Sequence, residues 1–288
     1  MGRQRVVELD DVPELVEPVV IAAFEGWNDA GEAASGVIQH LEESWGATPL
    51  AALDPDDYYD FQVTRPTVEM VDGQTRRISW PTTRLSLAKL PGSDRDVVLV
   101  HGIEPNMRWR SFCQDLVGIM LELGVETAVL LGALLADAPH TRPVPVTAAS
   151  SDTGLTTRLQ LEPARYEGPT GVLGVLQDAF GTAGLETVSL WAAVPHYVAQ
   201  PPSPKATLAL LRWVEDLLDV SVPMGDLPEQ ARAWERGVNE LAEQDTEVAE
   251  YVRALEEQKD ATELPEASGD AIAREFERYL RRRGGDPD

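Results

Sequence analysis

The sequence predicts an α/β fold in which a mostly parallel sheet carries helices on both faces. Three observations point there. Four apolar runs of strand length, Pro18–Phe24, Val97–Val100, Thr127–Leu131 and Thr187–Val194, lack polar alternation, as strands buried on both faces do. Segments with apolar residues three and four apart, the spacing of an amphipathic helix, lie between and after them. The two kinds of segment alternate through residue 219, which is the order of strands joined by crossover helices.

Each element has a local reason. Glu25–Gly31 is turn chemistry, and a helix follows with Ala30, Ala34, Val37, Leu41 and Trp45 on one face until Gly46 ends it. Thr67–Val71 and Gln74–Trp80 flank Asp72-Gly73, a two-residue hairpin signal, and this hairpin is expected at or beyond the sheet edge. The second buried strand stops at His101-Gly102. A helix over about Arg108–Leu123 turns Trp109, Phe112, Cys113, Leu116, Met120 and Leu123 inward. Prolines make Pro139–Pro145 irregular, with an extended stretch over Val144–Ala149. Gly168–Gly174 leads into a helix ending near Gly181. Pro195-His196 stops the fourth strand, and Pro204, tolerated in a first turn, opens a helix to about Asp219.

Beyond Val220 the strand signals cease, and residues 221–288 hold eighteen acidic and nine basic side chains. Leu227, Ala231, Trp234, Val238 and Leu241 form one helical seam, and Val248, Val252 and Leu255 continue it across a break at Asp245. A last helix is expected from Ser268 to Arg283. The reading is therefore an α/β domain over residues 1–220 and an acidic helical extension over 221–288.

The 288 residues carry a formal net charge of −25, which excludes a phosphate-backbone partner and docking on anionic membranes. No nucleic acid and no membrane is expected as partner. The polar Met1–Asp10 stretch lacks a signal-peptide core, so a cytoplasmic location is expected. Cys113, the one cysteine, excludes an intrachain disulfide and an all-cysteine metal site. A hydrophobic fraction of 43% suffices for a core.

His101, His140 and His196 end a buried strand or closely follow one, and ligands of open α/β sheets bind at the carboxyl ends of strands. Asp29 follows the first such strand, Glu104 and Arg108 the second, and Arg142 sits two residues past His140. The expectation is a polar rim where a histidine acts as acid or base and an arginine meets an anion, or else a set of groups that bond the loops to one another. Trp27 stands beside these motifs as a pocket wall, a partner anchor or simple core. Glu167–Gly174 is glycine-rich, but Pro169 removes one donor and no Gly-Lys-Ser/Thr follows, so it is not a phosphate loop. No histidine pair sits at metal spacing, and neither a metal nor another cofactor is expected. Cys113 lies on an apolar helix face, as a buried small hydrophobe does.

Five ordered motifs together resemble the prokaryotic members of the proteasome assembly chaperone 2 family. They are Phe24–Gly31 (FEGWNDAG), Glu104–Trp109 (EPNMRW), Pro139–Pro143 (PHTRP), Tyr166–Gly171 (YEGPTG) and Trp191–Tyr197 (WAAVPHY), spread over about residues 15–220. The resemblance implies a three-layer α/β/α domain of the phosphorylase/hydrolase-like kind with a mixed sheet. It also implies homo-oligomers, with a trimer as the guess, and association with proteasome core subunits. On these motifs Trp27, Asn28, Asp29, Glu104, Arg108, His140, Arg142, Glu167, Thr170 and His196 join His101 as candidate binding residues. Docking relatives often end in a hydrophobic residue, a tyrosine and one further residue. This chain ends Gly284–Asp288, with Tyr279 inside a predicted helix, so any proteasome contact is expected on another surface. The expected function is that of a protein-interaction chaperone. The alternative is a small-molecule binder or enzyme working at the sheet rim.

Overall fold

Four apolar strands must cover both faces, and in the computed structural model they lie side by side at the centre of one sheet. The structure describes residues 14–71, 75–159, 161–163 and 166–263. Strand β1 (Val19–Glu25) is followed by a single 3-10 turn (Ala30–Glu32), α1 (Ala33–Ser44), β2 (Thr48–Ala52) and α2 (Pro55–Tyr58). Then come β3 (Thr67–Val71), β4 (Thr75–Ser79), β5 (Thr83–Lys89), β6 (Asp96–Ile103), α3 (Trp109–Glu122) and β7 (Thr127–Ala136). The chain continues through β8 (Val146–Ser150), α4 (Thr153–Leu159), β9 (Glu162–Pro163), α5 (Val172–Thr182), β10 (Glu186–Pro195) and α6 (Pro204–Leu218). It ends in α7 (Leu227–Gln244) and α8 (Thr246–Glu263).

The sheet order is β2-β5-β6-β1-β7-β10-β8-β9. The central four, β6-β1-β7-β10, are parallel, while β5 joins β6 and β8 joins β10 antiparallel. The sheet is thus mixed with a parallel centre, and helices cover both faces. On one face Val19, Ile21, Leu99 and Val129 pack with α1 and α6. On the other, Val20, Ala22, Val98 and Leu130 pack with α3 and α5. The alternation along each strand serves both cores at once, which is why the runs read as uniformly apolar.

The extension grows from the first face. Leu227 and Ala231 of α7 join the core under α6. The break at Asp245 has a mechanism: its backbone is extended, and its carboxylate accepts the Glu247 and Val248 N–H groups that open α8. Leu241, expected on the inward seam, points out instead and is 62% exposed. β3 and β4 do not extend the main sheet. They pair only with one another, and the turn at Asp72-Gly73 lies outside the described residues, as does the helix expected over Ser268–Arg283.

Candidate functional site

Because β6, β1, β7 and β10 run in one direction, the loops after Glu25, Ile103, Ala136 and Pro195 share one rim of the sheet. Most of the predicted polar residues gather there, in two separate groups.

The first group lies over β1 and β6. Asn28, 1% exposed, donates from Nδ2 to Glu104 Oε1 at 2.7 Å, and the same oxygen accepts the Val172 N–H at 2.8 Å. Val172 is the first residue of α5, and no side chain of its own cap position covers that end. Glu104 therefore supplies the negative charge that the α5 N-terminus attracts. Gly171 is required here, since a Cβ would fall 2.3 Å from Asn28 Nδ2. Asp29 does the same for α1, accepting Ala34 N at 2.7 Å and Ser35 N at 3.3 Å. Burial pushes the Asp29 carboxyl above its ordinary range, against the lowering effect of those N–H groups. The Asn28 carbonyl accepts Ala133 N at 2.8 Å and ties the loop to β7.

His101 faces Glu25 on the α1 side of the sheet. Its Nε2 lies 3.1 Å from Glu25 Oε1, an ion-pair distance without hydrogen-bond alignment, and neither ring nitrogen has an aligned partner among the described residues. The neighbouring His101 ring holds the Glu25 carboxyl below its ordinary range, with Arg84 adding to the effect and partial burial opposing it.

The second group lies over β7 and β10. His140 is 2% exposed, with Nδ1 2.8 Å from the Tyr197 hydroxyl and Nε2 2.9 Å from Asn239 Oδ1 of α7. Burial lowers the His140 pKa from its ordinary value. Arg142 makes a two-pronged pair with Asp260 of α8, at 2.9 and 2.8 Å, and reaches Glu256 at 3.3 Å. His196 lies 3.3 Å from Asp137, and its ring meets Tyr251 of α8 edge-on at 5.3 Å. The rim of β7 and β10 is thus fastened to the extension.

Arg108 joins neither group, since it donates to the carboxylate of Asp57 in α2. Trp27, Glu167 and Thr170 are exposed at the rim. Composition and spacing did not single out Lys205, Asn239 or Asp57. Lys205 carried a readable signal: a lysine in the first turn of a helix opposes the helix dipole and so asks for a fixed acceptor. It has two, the carbonyl of His140 and Glu235 of α7, the latter at 2.5 Å.

Chemically, the arrangement holds loops together. Burial pushes the Cys113 thiol up to about 12, which keeps it from acting as a nucleophile at neutral pH. Among the described residues no group of three or more His, Cys, Asp or Glu side chains is placed to hold a metal ion.

A family model described as the PAC2 family matches residues 23–242. The chain belongs to the PAC2 family. A PAC2 family protein from Streptomyces avermitilis is 61% identical, with a TM-score of 0.78, over 82% of this chain and 99% of that one. A proteasome-assembly chaperone homologue from Mycobacterium tuberculosis is 57% identical, with a TM-score of 0.75, over 81% of this chain and 99% of that one. An archaeal proteasome activator from Pyrococcus furiosus shares the fold, at 19% identity and a TM-score of 0.63, over 81% of this chain and 96% of that one. No curated protein matches the chain. The PAC2 match takes in every predicted site residue and most of α7, whose Asn239 and Glu235 fasten the second group. Among the described residues no helix is long and apolar enough to cross a membrane.

Proposed function

We propose that this PAC2 family chain works by protein–protein interaction, as a cytoplasmic homo-oligomer of the proteasome assembly chaperone type, with a trimer as the assembly and proteasome core subunits as partners. Residues 1–220 then form the interacting domain and 221–288 a fastened extension. One observation carries this reading. Most buried polar groups of the rim are engaged with one another, while its loops and the end of β7 present large apolar side chains to solvent. Trp27 is 65% exposed, Tyr166 74%, Leu135 50% and Leu134 46%. Such a collar fits a partner surface better than a small ligand. The proteasome-related description of the Mycobacterium tuberculosis relative supports the choice of partner.

The test is capture of the tagged full-length chain at native expression level from a host that has proteasomes. Core-particle α subunits are expected with the wild type and much less of them with Trp27→Ala/Leu135→Ser. Their absence from the wild-type eluate overturns the proposal.

A second reading, a small-molecule binder or hydrolase/phosphorylase-like enzyme, draws on His101, whose buried ring nitrogens lack aligned partners among the described residues. A thermal-shift panel of nucleosides, nucleotides and phosphate decides it. Stabilisation lost in His101→Ala favours this reading, and silence across the panel removes it.

A further inference from the structure

The β3–β4 hairpin is the least supported part of the described chain. Every residue of β3, and every residue from Arg76 to Trp80, is exposed. A two-stranded ribbon alone is marginal in water, so a face that keeps this shape calls for a cover. Val68 lies directly opposite Ile78, and strand alternation puts Met70 and Trp80 on the same face. Those four are 49%, 53%, 58% and 50% exposed respectively. Within the chain, Trp80 meets Phe61 edge-on at 4.8 Å. The result is a projecting apolar patch of the kind that marks a protein contact.

Charge says what covers it. Arg65, Arg76 and Arg77 form no salt bridge with another described residue, although the chain holds 49 acidic side chains against 24 basic ones. Glu69 is the one carboxylate among the described residues of the two strands. The arm is therefore a basic spot on an acidic molecule. Arg76, directly opposite Met70, shares the apolar face, while Arg77 and Glu69 oppose one another on the other face. Two arms laid apolar face to face would bring Arg76 against Arg76, with no carboxylate among the described residues of that face, which disfavours a symmetric arm-to-arm contact. The extension offers the matching surface with the sign reversed. Residues 221–263 contain twelve acidic and four basic side chains, and exposed Leu241 sits among exposed Glu240, Glu243 and Glu247.

We propose that the β3–β4 arm docks on a second copy of this chain, its Val68/Met70/Ile78/Trp80 face on the acidic helical extension and Arg76 of that face against the carboxylates there. Such a contact is heterologous, and repeated by rotation it closes a ring. The proposal deepens the self-association part of the function above and rests on it.

Sedimentation velocity of the full-length chain over a concentration series tests it. The wild type is expected to associate. Val68→Asp/Ile78→Asp removes apolar anchors and is expected to weaken association roughly 100-fold. Arg76→Glu is expected to weaken it roughly tenfold. Neither change should alter the melting temperature of the isolated chain, because the arm packs on little else. Mixing Arg76→Glu chains with Glu240→Arg/Glu243→Arg chains is expected to restore a mixed assembly. If the arm variants keep the wild-type mass, the arm proposal fails while self-association stands. If the wild type stays monomeric at every concentration, both fail.

Discussion

At the β1–β6 half of the rim, Glu104 and Asp29 close helix ends within the α/β domain. At the β7–β10 half, His140 and Arg142 instead reach partners 99 and 118 residues further along the chain. The residues look alike in the sequence, each a polar group just past a buried strand. What differs is what each one completes. Glu104 satisfies a buried donor on Asn28 and a helix N-terminus, so its loss leaves groups with no route to water. Arg142 bridges to one exposed and one partly buried carboxylate on a helix that packs along the surface, so water can replace it. The first half belongs to the core, and the second half is a clasp.

The largest expected effect sharpens that contrast. Glu104→Ala orphans Asn28 Nδ2 and Val172 N together and is expected to destabilise the chain by about 3 kcal/mol in urea denaturation. Gly171→Ala attacks the same contact from the other side by driving a methyl group into Asn28. It is expected to lose about 2 kcal/mol. A loss below about 1 kcal/mol in both would mean that the loop relaxes freely and that the core assignment is wrong.

The next effect is a pH dependence confined to the clasp. His140 is neutral when it receives the Tyr197 hydroxyl and donates to Asn239, and burial, chiefly, lowers its folded pKa, with the Lys205 ammonium acting in the same direction. Asn239 and the carboxylates of Glu235 and Glu256 oppose this without reversing it. With the folded value below the unfolded value of about 6.5, the unfolded chain binds the extra proton. Stability is therefore full above about pH 6.5 and is lost as pH falls through the folded pKa. Denaturation curves between pH 7.5 and 5 should show this slope in the wild type, and His140→Gln should flatten it. An unchanged slope in the variant assigns the effect to another group.

How much of this could be read from residue order follows from the same physics. Uniform apolar runs marked β1, β6, β7 and β10 because burial on both faces leaves no alternation to misread. The edge strand β2 and its neighbour β5 carry no such signal. Thr48–Ala52 is half exposed, and Thr83–Lys89 alternates between buried and exposed positions around Arg84 and Lys89, so neither resembles the central runs. β7 runs five residues past the expected Leu131, through Ala136, where exposed Leu134 and Leu135 look like strand interior yet face solvent. At the site, parallel order was enough to place Asn28, Asp29, His101, Glu104, His140 and His196 on one rim. It could not divide them into two groups, because the division depends on α7 and α8 folding back, a contact between distant parts of the chain that no local pattern encodes.

A smaller effect comes from the clasp's outer pair. Arg142→Ala removes the contacts to Glu256 and Asp260, and partial exposure limits the loss to about 0.5–1 kcal/mol. The sensitive readout is hydrogen exchange. Amides of Thr246–Glu263 should exchange faster, while those of β1 and β6 stay protected. Equal acceleration in the central strands would show that the extension and the α/β core open as one unit.

The smallest stability effect belongs to the rim's exposed members. Trp27, Glu167 and Thr170 stand in the same motifs as Asn28 and Gly171, yet they lie in solvent, and Thr170 donates only to the adjacent Gly171 carbonyl, at 3.4 Å, among the described residues. Trp27→Ala and Thr170→Ala should each change stability by less than about 0.5 kcal/mol, within the range of ordinary surface substitutions. Thermal melts alone would then give no reason for a tryptophan to stand 65% exposed beside a buried asparagine. The separation of effects is informative: Trp27→Ala should leave the melt unchanged while reducing capture of a protein partner, and Glu104→Ala should lower the melt. A large destabilisation by Trp27→Ala would place that ring in the core group and remove it from the apolar collar.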